Sequence, residues 1–182
     1  MIRDPAELVD FWFSPVARKR WFNATPAFDQ QLRERFQAAW AAARDGQLSD
    51  WEETAVGALA LVLLLDQIPL NIFRNSAEQY STEVAARAVA GRAIARGLDR
   101  ALSAEQKSFL YLPYMHSEML ADQDRALDLY QAAGLEDWLQ WSRHHRDIIR
   151  RFQRFPHRNT LLGRESTPAE CAWLASAEGF SG

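Results

Sequence analysis

A chain of 182 residues with a formal net charge of −3, seven Trp, eight Gly and seven Pro suits one globular domain over residues 1–182, and its composition excludes a fibrous or disordered polymer. The small net charge excludes an acidic solvating tail and gives no global electrostatic reason to bind nucleic acid. Cys171 stands alone, which excludes an internal disulfide and a CxxC metal knuckle and points to a reducing compartment, the cytoplasm.

The N-terminal MIRDPAELVD lacks the basic-then-apolar order of a secretory signal. In it, Asp4-Pro5-Ala6-Glu7 sets a capping side chain, a first-turn proline and a returning carboxylate in order, so a helix begins there with Leu8, Phe11 and Trp12 inward. Thr25-Pro26 opens a second helix. Its Phe28, Leu32, Phe36, Ala39, Trp40 and Ala43 recur at helical steps until Gly46. Ser49-Asp50-Trp51-Glu52 reads as a capping box before the longest apolar run, Ala55 to Leu65, broken only by Gly57 and too short to span a bilayer, so no membrane partner is expected. Pro69 is expected to stop this third helix just after Asp66 and Gln67.

The stretch from Ser81 to Arg96 is rich in helix formers. Gly91 within it suits close helix contact, and Gly97 sits where a left-handed residue ends a helix. Ser103-Ala104-Glu105-Gln106 caps the next helix, which Pro113 kinks or restarts, and Asp122 to Ala133 forms another up to Gly134. A long helix runs from Glu136 to about Phe155 with Trp138, Trp141, His145, Ile148, Ile149 and Phe152 on its apolar stripe. Thr167-Pro168-Ala169-Glu170 starts a short last helix, in which Cys171 reads as a packing residue beside Trp173. No segment alternates like a strand. The expectation is an all-α fold of about nine helices without a sheet, built as tetratricopeptide-like stacked αα-hairpins, although no clean period of about 34 residues repeats.

Three stretches place polar side chains against apolar ones. Asp66 shares a helix side with Leu59, Val62 and Leu63, where a helix C-terminus disfavours an anion, and Asn71 and Arg74 are near enough in sequence to serve it. In YLPYMHSEMLADQ, a helical rotation of about 100° per residue aligns Tyr111, Tyr114, Glu118 and Asp122, and sets His116 with Gln123 on another line. The four-residue spacing of Glu118 and Asp122 suits a hard cation or a shared proton, or two solvated carboxylates; His116 and Glu118 point apart and make no metal pair. Near the end of the long helix, Arg150, Arg151, Arg154, Arg158 and Arg164 surround His157 and Asn159, which complements the helix dipole and exceeds what capping requires, as a local anion site would. There is no Walker loop, dinucleotide fingerprint, HExxH or GxSxG. No cofactor and no metal are expected.

Taken together, LLLDQIPLNIFRN, YLPYMHSEMLADQ, HRDIIRRFQRFPHRNTLLGREST and the N-terminal VDFWF resemble the signature blocks of the bacterial domain-of-unknown-function family 924, over essentially the whole chain. The resemblance implies a tetratricopeptide-like all-α fold and no established activity. The matching positions are Asp66, Gln67, Pro69, Asn71 and Arg74, then Tyr111, Pro113, His116, Ser117, Glu118, Asp122 and Gln123, then His145, Arg154, Pro156, His157, Arg158, Asn159 and Arg164. Leu70 stands where the family has arginine, and Asn75 where it has glycine, a replacement that tolerates a left-handed turn.

Three functions follow as expectations. The first is a polar pocket binding a small anionic molecule or an acidic peptide terminus, lined by Asp66, Asn71, Arg74, Tyr111, His116, Glu118, Asp122, Arg154, His157, Arg158 and Asn159. The second is a hydrolase or transferase using Glu118 with His116 or His145 as acid and base. The third is a protein interaction scaffold whose polar networks are structural. The oligomeric state is left open.

Overall fold

The computed structural model describes residues 4–176. They contain ten α-helical segments, of which α4 and α5 join into one rod, and no strand. The all-α expectation holds. Beside the expectation of one domain, the chain divides into two compact units. The first takes the described residues through Arg74 together with Glu78–Pro113, and the second takes Asn75–Ala77 and the described residues from Tyr114 onward.

In the first unit, α1 (Pro5–Trp12) starts where Asp4 accepts from the Ala6 N–H at 2.9 Å. A short α2 (Pro15–Arg18) follows, capped by Ser14. Helix α3 (Pro26–Arg44) is capped by Thr25, and Phe28, Leu32, Phe36, Ala39, Trp40 and Ala43 are all buried, as their spacing requires. The Ser49 box departs from expectation. Ser49–Glu53 is a 3-10 turn with no side-chain cap, and Thr54 instead caps α4 (Ala55–Val62) through the Gly57 N–H at 3.0 Å. Only glycine fits at 57, because a Cβ there would lie 2.0 Å from the Trp51 carbonyl oxygen.

Pro69 does not stop the helix. Leu63–Gln67 forms a π-turn, with the Ile68 N–H donating to the Leu63 carbonyl, and the rod continues as α5 (Ile68–Ile72). Pro69 lacks the N–H that would have served the Leu65 carbonyl, and the Thr82 hydroxyl donates to that oxygen at 2.6 Å instead. Ala55–Ile72 is thereby 18 residues long and apolar enough to cross a membrane by length and composition, but 83% of it is buried inside the protein. It is the spine of this unit: α1 and α6 pack on α4, and α3 packs on α5. Leu59, Leu63, Leu64, Ile68 and Ile72 are fully buried, each contributing about 1.5–3 kcal/mol relative to exposure.

Helix α6 (Glu83–Ala95) ends at the left-handed Gly97, with φ 71°. Ser103 and Gln106 exchange the two bonds of a capping box at the start of α7 (Ala104–Met115). Pro113 does not restart the helix, since α7 runs through it without interruption. It occupies the last turn, and the helix gives out two residues later.

In the second unit, α8 (Leu120–Ala132) and α9 (Glu136–Phe152) pack along each other across a three-residue connection containing the left-handed Gly134. Tyr130 stacks on Trp138, and Asp124 pairs with Arg146. Gln153, with φ 59°, ends α9 three residues before Pro156. Asn75 is left-handed at φ 66°, so the turn survives the replacement of glycine. Ile148, Ile149, Phe155 and Trp173 form the core against which Phe152 packs. Trp141 departs from the expected stripe, being 52% exposed. Thr167 and Glu170 complete a capping box on α10 (Pro168–Leu174), where Cys171 is exposed rather than packed.

Replacing Thr82 with Val, which keeps the shape and removes the donor, should cost about 1–3 kcal/mol, whereas Thr82→Ser should cost markedly less. Denaturant midpoints of the two variants check this. Gly57→Ala should lower stability by about 2–4 kcal/mol, because the Trp51 carbonyl is backbone and cannot step aside cheaply.

Candidate functional site

The polar residues of the first block lie in the first unit and turn to one another. Asp66, 1% exposed, accepts from Gln67 Nε2 at 2.6 Å. The neighbouring helix end that disfavours an anion is absent, since the rod runs on. Arg74 does not clamp Asp66. Its guanidinium lies on Asp29, with Nε and Nη2 at 2.7 and 3.1 Å from the two oxygens, and Nη2 also donates to Asn71 Oδ1 at 3.0 Å. Asn71 in turn donates to the Gln67 carbonyl at 2.9 Å. Tyr111, also in this unit, donates its hydroxyl to Asp99 at 2.8 Å.

The second and third blocks converge in the second unit, but not through the two helical lines the sequence suggests. Residues 116–119 leave the helix, so Glu118 sits in the connection between α7 and α8 while Asp122 is in the first turn of α8. Several side chains hold this break open. Gln123, fully buried, donates from Nε2 to the Met115 and Ser117 carbonyls at 2.6 and 2.7 Å, serving the end of α7 where backbone partners run out. Ser117 Oγ donates to Asp122 at 2.6 Å and accepts from the Met119 N–H at 3.2 Å. Glu118 and Asp122 therefore serve different partners and do not form a cation pair. Among the described residues no group of three or more His, Cys, Asp or Glu is arranged to hold a metal ion.

Glu118 is the centre of the convergence. Its carboxylate accepts from Arg164 Nη1 and Nη2 at 2.7 and 2.9 Å and from the Phe155 N–H at 2.8 Å. Arg164 also donates from Nε to Asn159 Oδ1 at 3.0 Å, and Asn159 donates to Ser166 Oγ at 3.0 Å. Arg158, 6% exposed, stacks 4.6 Å over the Phe155 ring and donates to the His116 carbonyl at 3.0 Å. Arg154 turns elsewhere: its Nε and Nη2 lie 2.6 and 2.8 Å from the Glu170 oxygens, and Nη2 also reaches the Glu165 carbonyl. An open surface hollow lies here, lined by Arg151, Phe152, Gln153, Arg154, Thr167, Ala169 and Glu170.

The electrostatics follow from these contacts. Burial by itself raises the Glu118 carboxyl, but Arg164 and the Phe155 N–H together bring it below its ordinary value. Arg154, with the Thr167 N–H and hydroxyl, holds Glu170 down at about 2. Burial lowers His145 to about 3, against the opposing effect of the Trp141 carbonyl 2.9 Å from Nδ1, and the nearby His116, His144 and His157 lower it further. Burial, with Arg158 next to it, lowers His157 to about 4. Both imidazoles are neutral at pH 7, and their rings flank Phe155 at centroid distances of 5.6 Å.

Sequence reasoning brings Glu118, Arg158, Asn159, His116, His145 and His157 to one neighbourhood and gives too little weight to their partners. Arg164 was visible as a cation of the cluster, yet it is the principal partner of Glu118. Asp29 carries no signal beyond its place in the first turn of α3. Glu170 is readable as a capping residue, and that reading hides its second partner, Arg154.

The family of bacterial proteins of unknown function DUF924 matches residues 8–178. The solved structure of a protein of unknown function from Agrobacterium tumefaciens, ATU0120, is 46% identical, with a TM-score of 0.89 over 94% of this chain and 96% of that one. Among curated proteins none matches. With blocks, order and fold in agreement over nearly the whole length, the chain belongs to the DUF924 family.

Proposed function

We propose that the second unit is a platform for protein contacts, and that its signature residues fix the platform instead of performing chemistry. The observation that carries this reading is the engagement of Glu118 by Arg164 and the Phe155 N–H. An anion entering at Arg164 or Arg154 would have to displace a carboxylate already held by two donors. Acid–base catalysis is equally disfavoured. Glu118 is ionised well below neutrality, and His145 and His157 at about 3 and 4 are poor proton acceptors at pH 7.

The contact surface is the uncovered part of α9. Trp141 lies on the same helical line as the buried His145 and Ile148, yet it is half exposed. The apolar stripe thus runs past its own cover, with Trp138 stacked on Tyr130 beside it. A partner polypeptide presenting apolar side chains fits this stripe, and large aromatic residues at such positions carry much of the binding energy of protein interfaces.

Capture of partners from a bacterial lysate, followed by reconstitution with the purified partner, tests the assignment. Trp141→Ala should weaken binding at least about tenfold while leaving the melting temperature unchanged. A small anion that gives saturable thermal stabilisation, abolished by Arg158→Ala, would replace this reading with ligand binding. Glu118→Gln should lower stability by about 1–3 kcal/mol, and its effect should vanish in an Arg164→Met background. If Glu118 were a catalytic acid or base, activity would fall with stability unchanged.

The neutral histidines also set a pH dependence. Unfolded, His145 and His157 take up protons near pH 6.5; folded, they resist until about 3 and 4. Stability is therefore full above pH 6.5 and is lost as pH falls through that value, at up to about 2.7 kcal/mol per pH unit while both differ. Denaturant titrations at pH 7.5 and 5.0 should show this loss, and His145→Phe should remove about half of the slope.

A further inference from the structure

A second surface feature lies in the first unit, directly after the N-terminal VDFWF stretch. Between Asp10 and Asp29 the chain carries Arg18, Lys19 and Arg20 and no carboxylate, in the stretch PVARKRWF. Val16 is 65% exposed, and Phe22, at 78%, is the most exposed of the large apolar residues described. Arg18 is paired with Glu105 at 2.5 Å, which leaves Lys19 and Arg20 as the cationic excess.

The segment that presents these side chains is tied down. Ser14 caps α2, Ala17 is fully buried, and the Trp21 indole N–H donates to the Trp12 carbonyl at 3.0 Å. The Trp21 ring packs edge-on against Phe109 at 4.5 Å and Phe13 at 5.5 Å. With Ala17 buried and Trp21 packed on Phe109 and Phe13, Val16, Lys19 and Phe22 are left exposed on one turn held by these contacts. Little ordering is needed before this turn can engage a surface.

From this arrangement we infer that the Val16–Phe22 turn is a peripheral docking element for an anionic lipid surface. Phe22 and Val16 enter the interfacial layer, while Lys19 and Arg20 remain at the headgroups, where their charges meet lipid phosphates. Charge complementarity selects an anionic lipid over a neutral one. No spanning helix is involved. Two apolar side chains and two cations give weak, reversible attachment that depends on salt.

Co-sedimentation of the full chain with vesicles tests this. Vesicles of phosphatidylcholine with phosphatidylglycerol should retain it at least about tenfold more strongly than phosphatidylcholine alone, and rising salt should release it. Phe22→Ser should lose at least about tenfold of that binding, and Lys19→Gln with Arg20→Gln should abolish the preference for anionic lipid. Unchanged thermal melts would show that these exposed substitutions leave the fold intact. No retention of the native chain on anionic vesicles, or undiminished retention of Phe22→Ser, overturns the inference. Self-association in sedimentation velocity that needs Phe22, without vesicle binding, also overturns it and makes the turn a protein contact. Trp141→Ala should leave vesicle binding untouched, so failure here and failure of the α9 platform are separable.

Discussion

The second unit depends on one carboxylate. Glu118 stands where the chain has left α7 and not yet entered α8, and it joins that connection to the segment after α9 by three charge-assisted hydrogen bonds. Without those donors a half-buried carboxylate would be costly, and without the carboxylate Arg164 would lose its counterion and the Phe155 N–H its acceptor. Phe155 is fully buried and carries Arg158 on one ring face, so the same bond that holds its backbone also positions its ring among Ile148, Ile149 and Trp173. The polar and apolar parts of this core are consequently one construction.

That construction explains why such polar blocks need not report chemistry. A buried polar network that is almost fully hydrogen-bonded specifies a single arrangement of the chain, because any slip leaves several desolvated groups without partners. The neutral state of His145 and His157 fits the same logic: removing their charge lowers the cost of burial, for His157 beside Arg158 and Arg164. Similar geometry recurs in the first unit, where Arg74, Asp29 and Asn71 form a smaller clamp at the end of the spine.

What the sequence makes legible is local. Asp4, Thr25, Ser103 and Thr167 cap helices through groups two or three residues away, so each can be read directly. The partners that define the polar clusters are 45 residues apart for Asp29 and Arg74 and 46 for Glu118 and Arg164, and no periodicity reports such distances. The break at residues 116–119 is hidden for a related reason. It contains neither Gly nor Pro, and it is held by Gln123, Ser117 and Glu118 acting across the gap. Trp141 shares a line of α9 with the buried His145 and Ile148 and is itself 52% exposed; the sequence does not contain how far along that line the cover extends.

The π-turn in the spine makes the same point about counting. A wide turn absorbs one extra residue without lengthening the rod by a full helical step, so positions beyond it are out of phase with those before it by about 100°. Phe28 to Ala43 can be laid on one helical wheel, but Ala55 to Ile72 cannot. A chain one residue shorter within Leu63–Gln67 would still be apolar, helical and long enough, yet Arg74 would be turned away from Asp29. In this spine, residue number and direction are set separately, and the wide turn is where the second is chosen.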